Sequence, residues 1–481
     1  MTQEQAKSTT RTALALQPKP TYNERRNRNL PMLLTRRALI ASALICPIEA
    51  RAQKAEPMLL DLRPGKLRLV ESAETDVWTI NGGVPGPVLR VKQGEEVSVR
   101  LINNLSQPAA LHWQGVRLAN AMDGAPGLTQ APMAPGERMD IRFIAPDAGT
   151  YWYRPSAFPN AAEQKGRGLY GLLIVEGPDD PPVDREFLAI IDDWRLDEQG
   201  QIRSPFLDVA DVTGPGRIGD LITINSQSIP QVMTAPPGAR VRLRILNACS
   251  ARLISLTFNG LRPLVVGVDG QSCEPFEPAR MTLPSGPGSR FDVIFDLPAQ
   301  AGAQESLTFR DGVLNGDASI EPRKLIAFET TGDALPARDP IRSRQNPALP
   351  AVIRLQGAKR LDLTIARRES NDPRKVWAFN GLASHGADAA PLFKAKRGQP
   401  VTLGFVNNSK VAHSIHVHGH AFRVLHLLDD GWEPYWRDSV IVPPGGTVRV
   451  AFVADNPGKW LIESTILDHA MSGLTGWFEV G

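Results

Sequence analysis

The sequence predicts an all-β protein made of three Greek-key β-sandwich domains. Glycine and proline each occur 41 times in 481 residues, with no period of three, which favours many short strands joined by turns. A chain of this length also has room for about three domains of ordinary size. Its 3 cysteines exclude a disulfide-stapled scaffold and a four-cysteine zinc or iron–sulfur site.

An internal repeat supports the count of three domains. In each copy, a glycine is followed nine residues later by an asparagine, and apolar residues occupy alternate positions between them. The copies run from Gly94 to Asn103, from Gly238 to Asn247 and from Gly398 to Asn407. We expect each copy to be a strand of one sandwich, with domains at residues 53–178, 179–335 and 336–481, the last including a linker.

The first and third copies match over a longer stretch than the second. His112 lies eight residues after Asn104, and His416 lies eight residues after Asn408. Arg154 lies five residues after Gly149, and Glu463 lies five residues after Gly458. We therefore expect equivalent positions of these two domains to face each other across one interface. The arginine and the glutamate are placed to meet there.

The N-terminal segment, residues 1–52, predicts export by the twin-arginine pathway to the periplasm. Thr35-Arg36-Arg37-Ala38-Leu39-Ile40 is a twin-arginine pattern, and the apolar run that follows ends at Ile45. Such a short run cannot span a bilayer, which needs about 20 residues. Ala50-Arg51-Ala52 offers a cleavage site, and either Met1 or Met32 can be the start.

The charge balance gives no reason to expect a nucleic-acid partner. Residues 1–52 contain nine basic and three acidic side chains, whereas the whole chain has a net charge of only +3. The mature chain is therefore slightly acidic. We also expect no transmembrane segment in it.

Four segments of the sequence contain histidine or occupy equivalent positions in the first and third copies of the repeat. They are Leu111-His112-Trp113-Gln114-Gly115, Tyr151-Trp152-Tyr153-Arg154-Pro155-Ser156, the segment from His413 to His420, and the segment from Glu463 to Leu474. In this order they resemble HWHG, WYHSH, HPxHLHGH and HCHIxxHxxxGM, the copper motifs of the multicopper oxidases. The resemblance covers essentially the whole mature chain and implies three cupredoxin-like domains.

The resemblance also implies a type 1 copper site, but two of its ligands are missing. The family binds this copper with a cysteine thiolate, two histidines and often an axial methionine. His413 and His469 match the histidines, whereas Ser464 and Leu474 replace the cysteine and the methionine. Without a thiolate we expect no blue copper site.

The trinuclear cluster implied by the resemblance needs eight histidines, and only three remain. These are His112, His416 and His418. The other five positions hold Gln114, Arg154, Ser156, Glu463 and Thr465. We therefore expect no laccase-type oxidase activity and no cofactor.

An ion pair offers a physical explanation for the loss of the cluster. We hypothesise that Arg154 and Glu463, hydrogen-bonded to Gln114, Ser156 and His418, form a structural plug in the space of the metal ions. In the alternative, Arg154 points to solvent. Two readings of the remaining histidines also stay open: they lie in a polar interior without metal or, with Glu463, hold one copper ion. His413 with His469 is a weaker metal candidate.

Two functions of different classes remain open. The first is an exported, noncatalytic scaffold or interaction protein with an unknown protein partner in the periplasm. The second is a metal-binding protein or oxidoreductase that uses the residual mononuclear copper site. An active multicopper oxidase is a more distant alternative, and a disulfide between Cys249 and Cys273 stays open.

Overall fold

The computed structural model describes residues 56–312, 320–426 and 431–481. The twin-arginine segment and its cleavage site therefore lie outside the described residues. One compact unit spans Ala55–Gly481. In the described ranges, 30 strands form six sheets and the α-helices are three short ones, which confirms the all-β prediction. No described helix is long and apolar enough to cross a membrane.

The first sandwich consists of two four-stranded sheets, ordered β2-β1-β4-β6 and β3-β8-β7-β5. Its strands are β1 (Met58–Val70), β2 (Ala73–Ile80), β3 (Leu89–Lys92), β4 (Glu96–Asn103), β5 (Leu111–Gln114), β6 (Arg138–Ile144), β7 (Gly149–Pro155) and β8 (Gly171–Glu176). Helix α1 (Ala161–Gly166) connects β7 with β8.

The second sandwich pairs a seven-stranded sheet, β11-β10-β9-β13-β18-β15-β16, with a five-stranded one, β12-β20-β19-β14-β17. Its strands are β9 (Arg185–Trp194), β10 (Leu221–Ile224), β11 (Gln227–Ser228), β12 (Gln231–Ala235), β13 (Arg240–Asn247), β14 (Ile254–Asn259), β15 (Leu264–Val268), β16 (Gln271–Phe276), β17 (Thr282–Ser285), β18 (Arg290–Asp296), β19 (Gln304–Asp311) and β20 (Arg323–Thr330). Helix α2 (Val209–Thr213) follows β9.

The third sandwich has two five-stranded sheets, β22-β21-β24-β28-β26 and β23-β30-β29-β25-β27. Its strands are β21 (Lys359–Arg367), β22 (Trp377–Phe379), β23 (Phe393–Ala395), β24 (Gln399–Asn407), β25 (His413–Val417), β26 (Arg423–Val424), β27 (Ser439–Val442), β28 (Thr447–Ala454), β29 (Gly458–Ser464) and β30 (Thr475–Val480). Helix α3 (Leu467–Met471) lies between the last two strands.

The three sandwiches share one pairing pattern. The strand that ends at the repeat asparagine is β4, β13 or β24, and each pairs in parallel with the first long strand of its sandwich. Each also pairs antiparallel with a later strand, β6, β18 or β28. This shared topology confirms three Greek-key, cupredoxin-like sandwiches.

The apolar core determines where the sandwiches meet. One cluster of buried apolar residues runs through both the first and the third sandwich, from Leu60 and Trp113 to Trp460 and Phe478. The second sandwich has a separate cluster. Because the first and third cores are continuous, β5 and β25 come together in the interior.

Candidate metal centre

Three histidines converge where the first and third sandwiches meet. His112 lies in β5, His416 lies in β25, and His418 follows β25. One ring nitrogen of each lies within 4.8 Å of the others, and no side chain of the three is more than 1% exposed. The structure therefore brings together the histidines that the motifs singled out.

Strand register explains why this interface is symmetric. In the antiparallel pair of β5 and β7, His112 lies opposite Arg154. In the antiparallel pair of β25 and β29, His416 lies opposite Glu463. The equivalence read from the repeat spacing is thus a shared strand register.

His112 and His416 present free lone pairs to each other. Their Nδ1 atoms lie 2.8 Å from the backbone carbonyls of Asp123 and Asp438. A carbonyl only accepts, so each Nδ1 carries the proton and each Nε2 is left unprotonated in a neutral ring. The two Nε2 atoms are 3.2 Å apart. Carbonyl-bound Nδ1 and a converging Nε2 are the arrangement of metal-binding histidines.

Burial keeps both rings neutral. It lowers the pKa of His112 to about 3 and also lowers the pKa of His416. At neutral pH neither ring carries a proton on Nε2 to separate the two lone pairs. The two Nε2 lone pairs therefore face the same space and can bind one shared cation.

His418 has a different environment from its two neighbours. Its Nδ1 lies 2.8 Å from Oδ2 of Asp123 and its Nε2 lies 3.1 Å from Oε1 of Glu463. Burial opposes the charged ring, but the two carboxylates outweigh it and raise the pKa of His418 to about 9. Its ring stacks on His112, with centroids 3.8 Å apart. Both of its nitrogens are engaged by carboxylates.

The predicted ion pair between Arg154 and Glu463 is present. Arg154 Nη2 donates to Glu463 Oε1 at 2.5 Å and its Nε donates to Gln114 Oε1 at 2.7 Å. The arginine side chain is 1% exposed, so the alternative that it reaches solvent is wrong. Although burial opposes it, the charges of Arg154 and His418 hold the pKa of Glu463 below its usual value.

One predicted member of this plug, Ser156, binds elsewhere, and so does Thr465, a former cluster position that the predicted plug did not include. Ser156 donates to the carbonyl of Gly124 at 2.6 Å, and Thr465 donates to the carbonyl of Ser414 at 3.3 Å. Both hydroxyls satisfy local backbone instead of the guanidinium. The plug consists of Arg154, Glu463 and Gln114, joined by His418 through the glutamate.

His413 and His469 form a separate hydrogen-bonded pair. Their Nδ1 atoms are 3.1 Å apart, His413 Nε2 meets Ser409 Oγ at 3.1 Å, and His469 Nε2 meets the carbonyl of Gly214 at 2.9 Å. Trp377 packs against both rings. Burial lowers the pKa of His469 to about 4, so the pair is neutral. All four ring nitrogens have partners without a metal.

These donor sets decide which copper sites the chain can hold. A type 1 site does not fit, because Ser464 Oγ accepts from the backbone of Ile466 and Leu474 offers no donor. The trinuclear cluster does not fit either, since a guanidinium and its carboxylate fill part of its space. A single ion fits the unprotonated Nε2 atoms of His112 and His416. In each ring, Nδ1–H donates to a backbone carbonyl, as in metal-binding histidines.

The motifs did not single out the acids that hold this centre. The backbone carbonyls of Asp123 and Asp438 position His112 and His416, and Arg290 pairs with the carboxylate of Asp438. Asp123 lies 11 residues from His112, whereas Asp438 lies 22 residues from His416. With no common spacing, the sequence carries no signal for them.

A second buried cluster was also missed. Asp192, Asp193 and Cys249 place ligand atoms within 4.8 Å of one another. Both carboxylates already have cationic partners, Lys165 at 2.5 Å and Arg252 at 3.2 Å. Cys249 and Cys273 are buried free thiols, so the disulfide does not form.

Comparison with known proteins gives a consistent family. Family models described as multicopper oxidase match residues 62–180, 186–306 and 355–481. The multicopper oxidase MmcO of Mycobacterium tuberculosis is 30% identical over 440 residues, covering 82% of this chain and 81% of that protein. Copper resistance protein A of Escherichia coli is 23% identical, covering 90% and 94%.

Solved structures agree with the sequence matches. A multi-copper oxidase from Pseudomonas thermotolerans has a TM-score of 0.78 at 30% identity, covering 89% of this chain and 99% of that one. Lac15 from a marine microbial metagenome has a TM-score of 0.69 at 32% identity, covering 88% and 100%.

These findings correct one expectation. The expectation that the chain takes no cofactor is wrong, because its relatives are copper proteins by name and three buried histidines form a set that can hold a metal ion. The family resemblance itself is confirmed over all three sandwiches. With matched segments in each sandwich and a relative of 30% identity over most of its length, the chain belongs to the multicopper oxidase family.

Proposed function

We propose that this chain is an exported, noncatalytic member of the family that holds one copper ion on His112 and His416. In this role it serves as a scaffold or interaction protein in the periplasm. The pair of Nε2 atoms 3.2 Å apart, on rings fixed by two carbonyls, carries the proposal. His112 and His416 would hold the ion, and copper bound there would cross-link the first and third sandwiches, to which the two histidines belong.

Copper is the proposed ion for two reasons. Imidazole nitrogen suits copper well, and copper binds such sites more strongly than the other common divalent metals. The relatives are named multicopper oxidases and copper resistance proteins. Asp123 and Asp438 hold the rings in the tautomer that binding requires.

The noncatalytic part rests on the route that electrons take in the family. The thiolate position holds Ser464, whose flanking residues are Glu463 and Thr465 in place of two histidines. His413 and His469 bond to each other and to Gly214 and Ser409. These side chains support neither a type 1 copper nor a path from it to the three-histidine cluster.

Copper analysis of the purified mature chain tests the proposal. We expect one copper ion per chain, no blue colour and no oxidation of phenols. His416→Ala should lose the ion because one of two ligands is gone. His385→Ala is the matched control, since that ring packs against Phe158 and has no part in the cluster. Absence of copper from the wild-type chain, or phenol oxidation that disappears in His416→Ala, contradicts the proposal; the latter outcome indicates a mononuclear copper oxidoreductase.

Export can be tested independently of copper. Residues 1–52 fused to a reporter that folds in the cytoplasm should carry it to the periplasm. Replacing Arg36 and Arg37 together by lysine should keep the reporter inside. Delivery that does not depend on these arginines contradicts the twin-arginine route.

A further inference from the structure

We infer that a cavity between the second and third sandwiches binds an uncharged, largely apolar molecule that carries a hydrogen-bond acceptor. The cavity has a volume of about 580 Å³. Within the described ranges, none of the residues that line it belongs to the four motif segments. The cavity is therefore separate from the histidine centre, and its ligand does not depend on copper.

The walls of this cavity are apolar and come from both sandwiches. Val268 and Phe291 lie in β15 and β18 of the second sandwich, and Val440 and Val448 lie in β27 and β28 of the third. All four are at most 8% exposed. Ligand cavities typically have volumes of about 300–1,000 Å³ and apolar walls with a few polar groups, and many lie between domains. The cavity thus has the size and the lining of a small-molecule site.

The charged groups of the wall already have partners. Arg437 Nη2 lies 3.0 Å from Glu433 Oε2. Asp269 Oδ2 accepts from the backbone N–H of Asp438 at 3.2 Å and from Ser439 Oγ at 2.9 Å. An anionic ligand would compete with Glu433 for the guanidinium, and a cationic ligand would meet carboxylates that are already engaged. Because burying an unpaired charge is costly, the wall favours an uncharged ligand.

Ser289 gives the cavity a hydrogen-bond donor. Its Oγ accepts from the backbone N–H of Gly286 at 3.1 Å, and among the described residues none accepts from it. A hydroxyl group can accept and donate at the same time. Since Ser289 lines the cavity, its proton can go to an acceptor on the ligand. A carbonyl or ether oxygen on an otherwise apolar molecule fits this wall.

Titration with Nile red, an uncharged aromatic dye with a carbonyl oxygen, tests the inference. We expect one saturable site per mature chain in the presence of EDTA, because the site needs no metal. Ile441→Glu places a carboxylate on the half-buried apolar wall and should weaken binding at least tenfold. Val232→Glu is the matched control, because Val232 is 57% exposed and does not line the cavity. Absence of saturable binding, or equal affinities of the two variants, overturns the inference.

Pro284→Glu keeps the test decisive if Ile441→Glu does not fold. Pro284 lies in β17 and lines the cavity from the second sandwich, but it is exposed, so its replacement buries no new charge in the core. We expect Nile red to bind this variant at least threefold more weakly. An affinity equal to that of the wild-type chain overturns the inference.

A pair of matched dyes tests the charge of the ligand. N-phenyl-1-naphthylamine and its 8-sulfonate share one aromatic skeleton and differ in charge. The uncharged amine should displace Nile red at a concentration at least tenfold lower than the sulfonate, since Glu433 holds the guanidinium of Arg437. Equal displacement by the two dyes overturns the assignment of an uncharged ligand.

Ser289→Ala tests the acceptor on the ligand. Loss of one hydrogen bond should weaken Nile red binding about threefold. The affinity for N-phenyl-1-naphthylamine, which has no oxygen acceptor, should stay the same. Unchanged Nile red binding, or equal weakening for both dyes, overturns the role of Ser289 as the donor.

Discussion

Position 464 decides whether the His413–His469 pair can hold a blue copper ion. The serine there is fully buried in β29, opposite Ile415 of the strand that begins with His413. The Nδ1 atoms of His413 and His469 lie 3.1 Å apart. Cysteine is close to serine in size, and two histidines with a thiolate are the equatorial ligands of blue copper sites. We therefore predict that Ser464→Cys gains intense visible absorption when copper is added. Visible spectroscopy of the copper-loaded variant checks this.

The same variant separates colour from catalysis. We expect Ser464→Cys to remain inactive toward phenols, because Glu463 and Arg154 still fill the space of the cluster. Ser472→Cys places a thiol at another fully buried serine and serves as the control for nonspecific copper–thiolate absorption. A colourless Ser464→Cys would show that the pair cannot open to admit an ion.

His469 makes the fold sensitive to acid. Burial lowers its pKa to about 4, against about 6.5 in an unfolded chain. Below pH 6.5 the unfolded chain binds a proton that the folded chain refuses, so stability falls as the pH drops toward 4. At pH 5 this group alone accounts for about 2 kcal/mol.

Replacement of the ring tests this linkage. We predict that His469→Gln, whose amide can still donate to the carbonyl of Gly214, loses about 2 kcal/mol less than the wild-type chain between pH 7 and pH 5. Urea unfolding at both pH values measures the difference. Between pH 7 and pH 8 the two proteins should change alike, and equal losses at pH 5 would exclude His469 as the source.

At the scale of elements, the three repeat asparagines hold the ends of strands in place through side-chain hydrogen bonds. Asn407, at the end of β24, donates to the carbonyls of Val411 and Pro443 and accepts from the backbone of Ser409. Asn103 and Asn247 make the same kind of contacts at the ends of β4 and β13. All three are fully buried. Each ties the end of its strand to the loop that follows.

Removal of one of these asparagine side chains should lower the stability of the fold. We predict that Asn407→Ala destabilises the chain by about 2–3 kcal/mol, because buried backbone groups lose their partners. Chemical unfolding provides the measurement. Asn408→Ala, at the exposed neighbouring position, should change stability by no more than about 0.5 kcal/mol. Similar effects of the two substitutions would contradict the assigned role.

The elements also show what sequence can predict and where it fails. The glycine-to-asparagine spacing located β4, β13 and β24 because it is a local pattern repeated three times. The shared offset of Arg154 and Glu463 predicted their meeting because strand register carries spacing into space. The roles of Asp123 and Asp438 were not predicted, because their contacts with the histidines depend on the paths of loops, which the repeat does not determine.

At the scale of the whole molecule, each interface between two sandwiches contains a buried ion pair. The pairs are Arg154–Glu463 between the first and third, Arg290–Asp438 between the second and third, and Lys165–Asp192 between the first and second. Arginine and histidine together hold the pKa of Asp438 below its usual value despite burial. The carboxylate of the Lys165–Asp192 pair differs, because burial raises the pKa of Asp192 to about 6. The three ion pairs are therefore not energetically equivalent.

The Lys165–Asp192 pair should be replaceable by neutral groups. Both side chains are at most 2% exposed and lie 2.5 Å apart, yet burial still raises the pKa of Asp192 to about 6 against the pull of Lys165. The attraction to Lys165 thus does not offset the free-energy cost of burying the carboxylate.

We predict that Lys165→Met alone destabilises the chain by about 3 kcal/mol, because Asp192 is left unpaired. Lys165→Met with Asp192→Asn should recover wild-type stability within about 1 kcal/mol, since the amide still accepts from the backbone of Asp193. Urea unfolding at pH 7 decides the matter: a double variant as unstable as the single one would mean that the ion pair itself stabilises the contact between the first and second sandwiches.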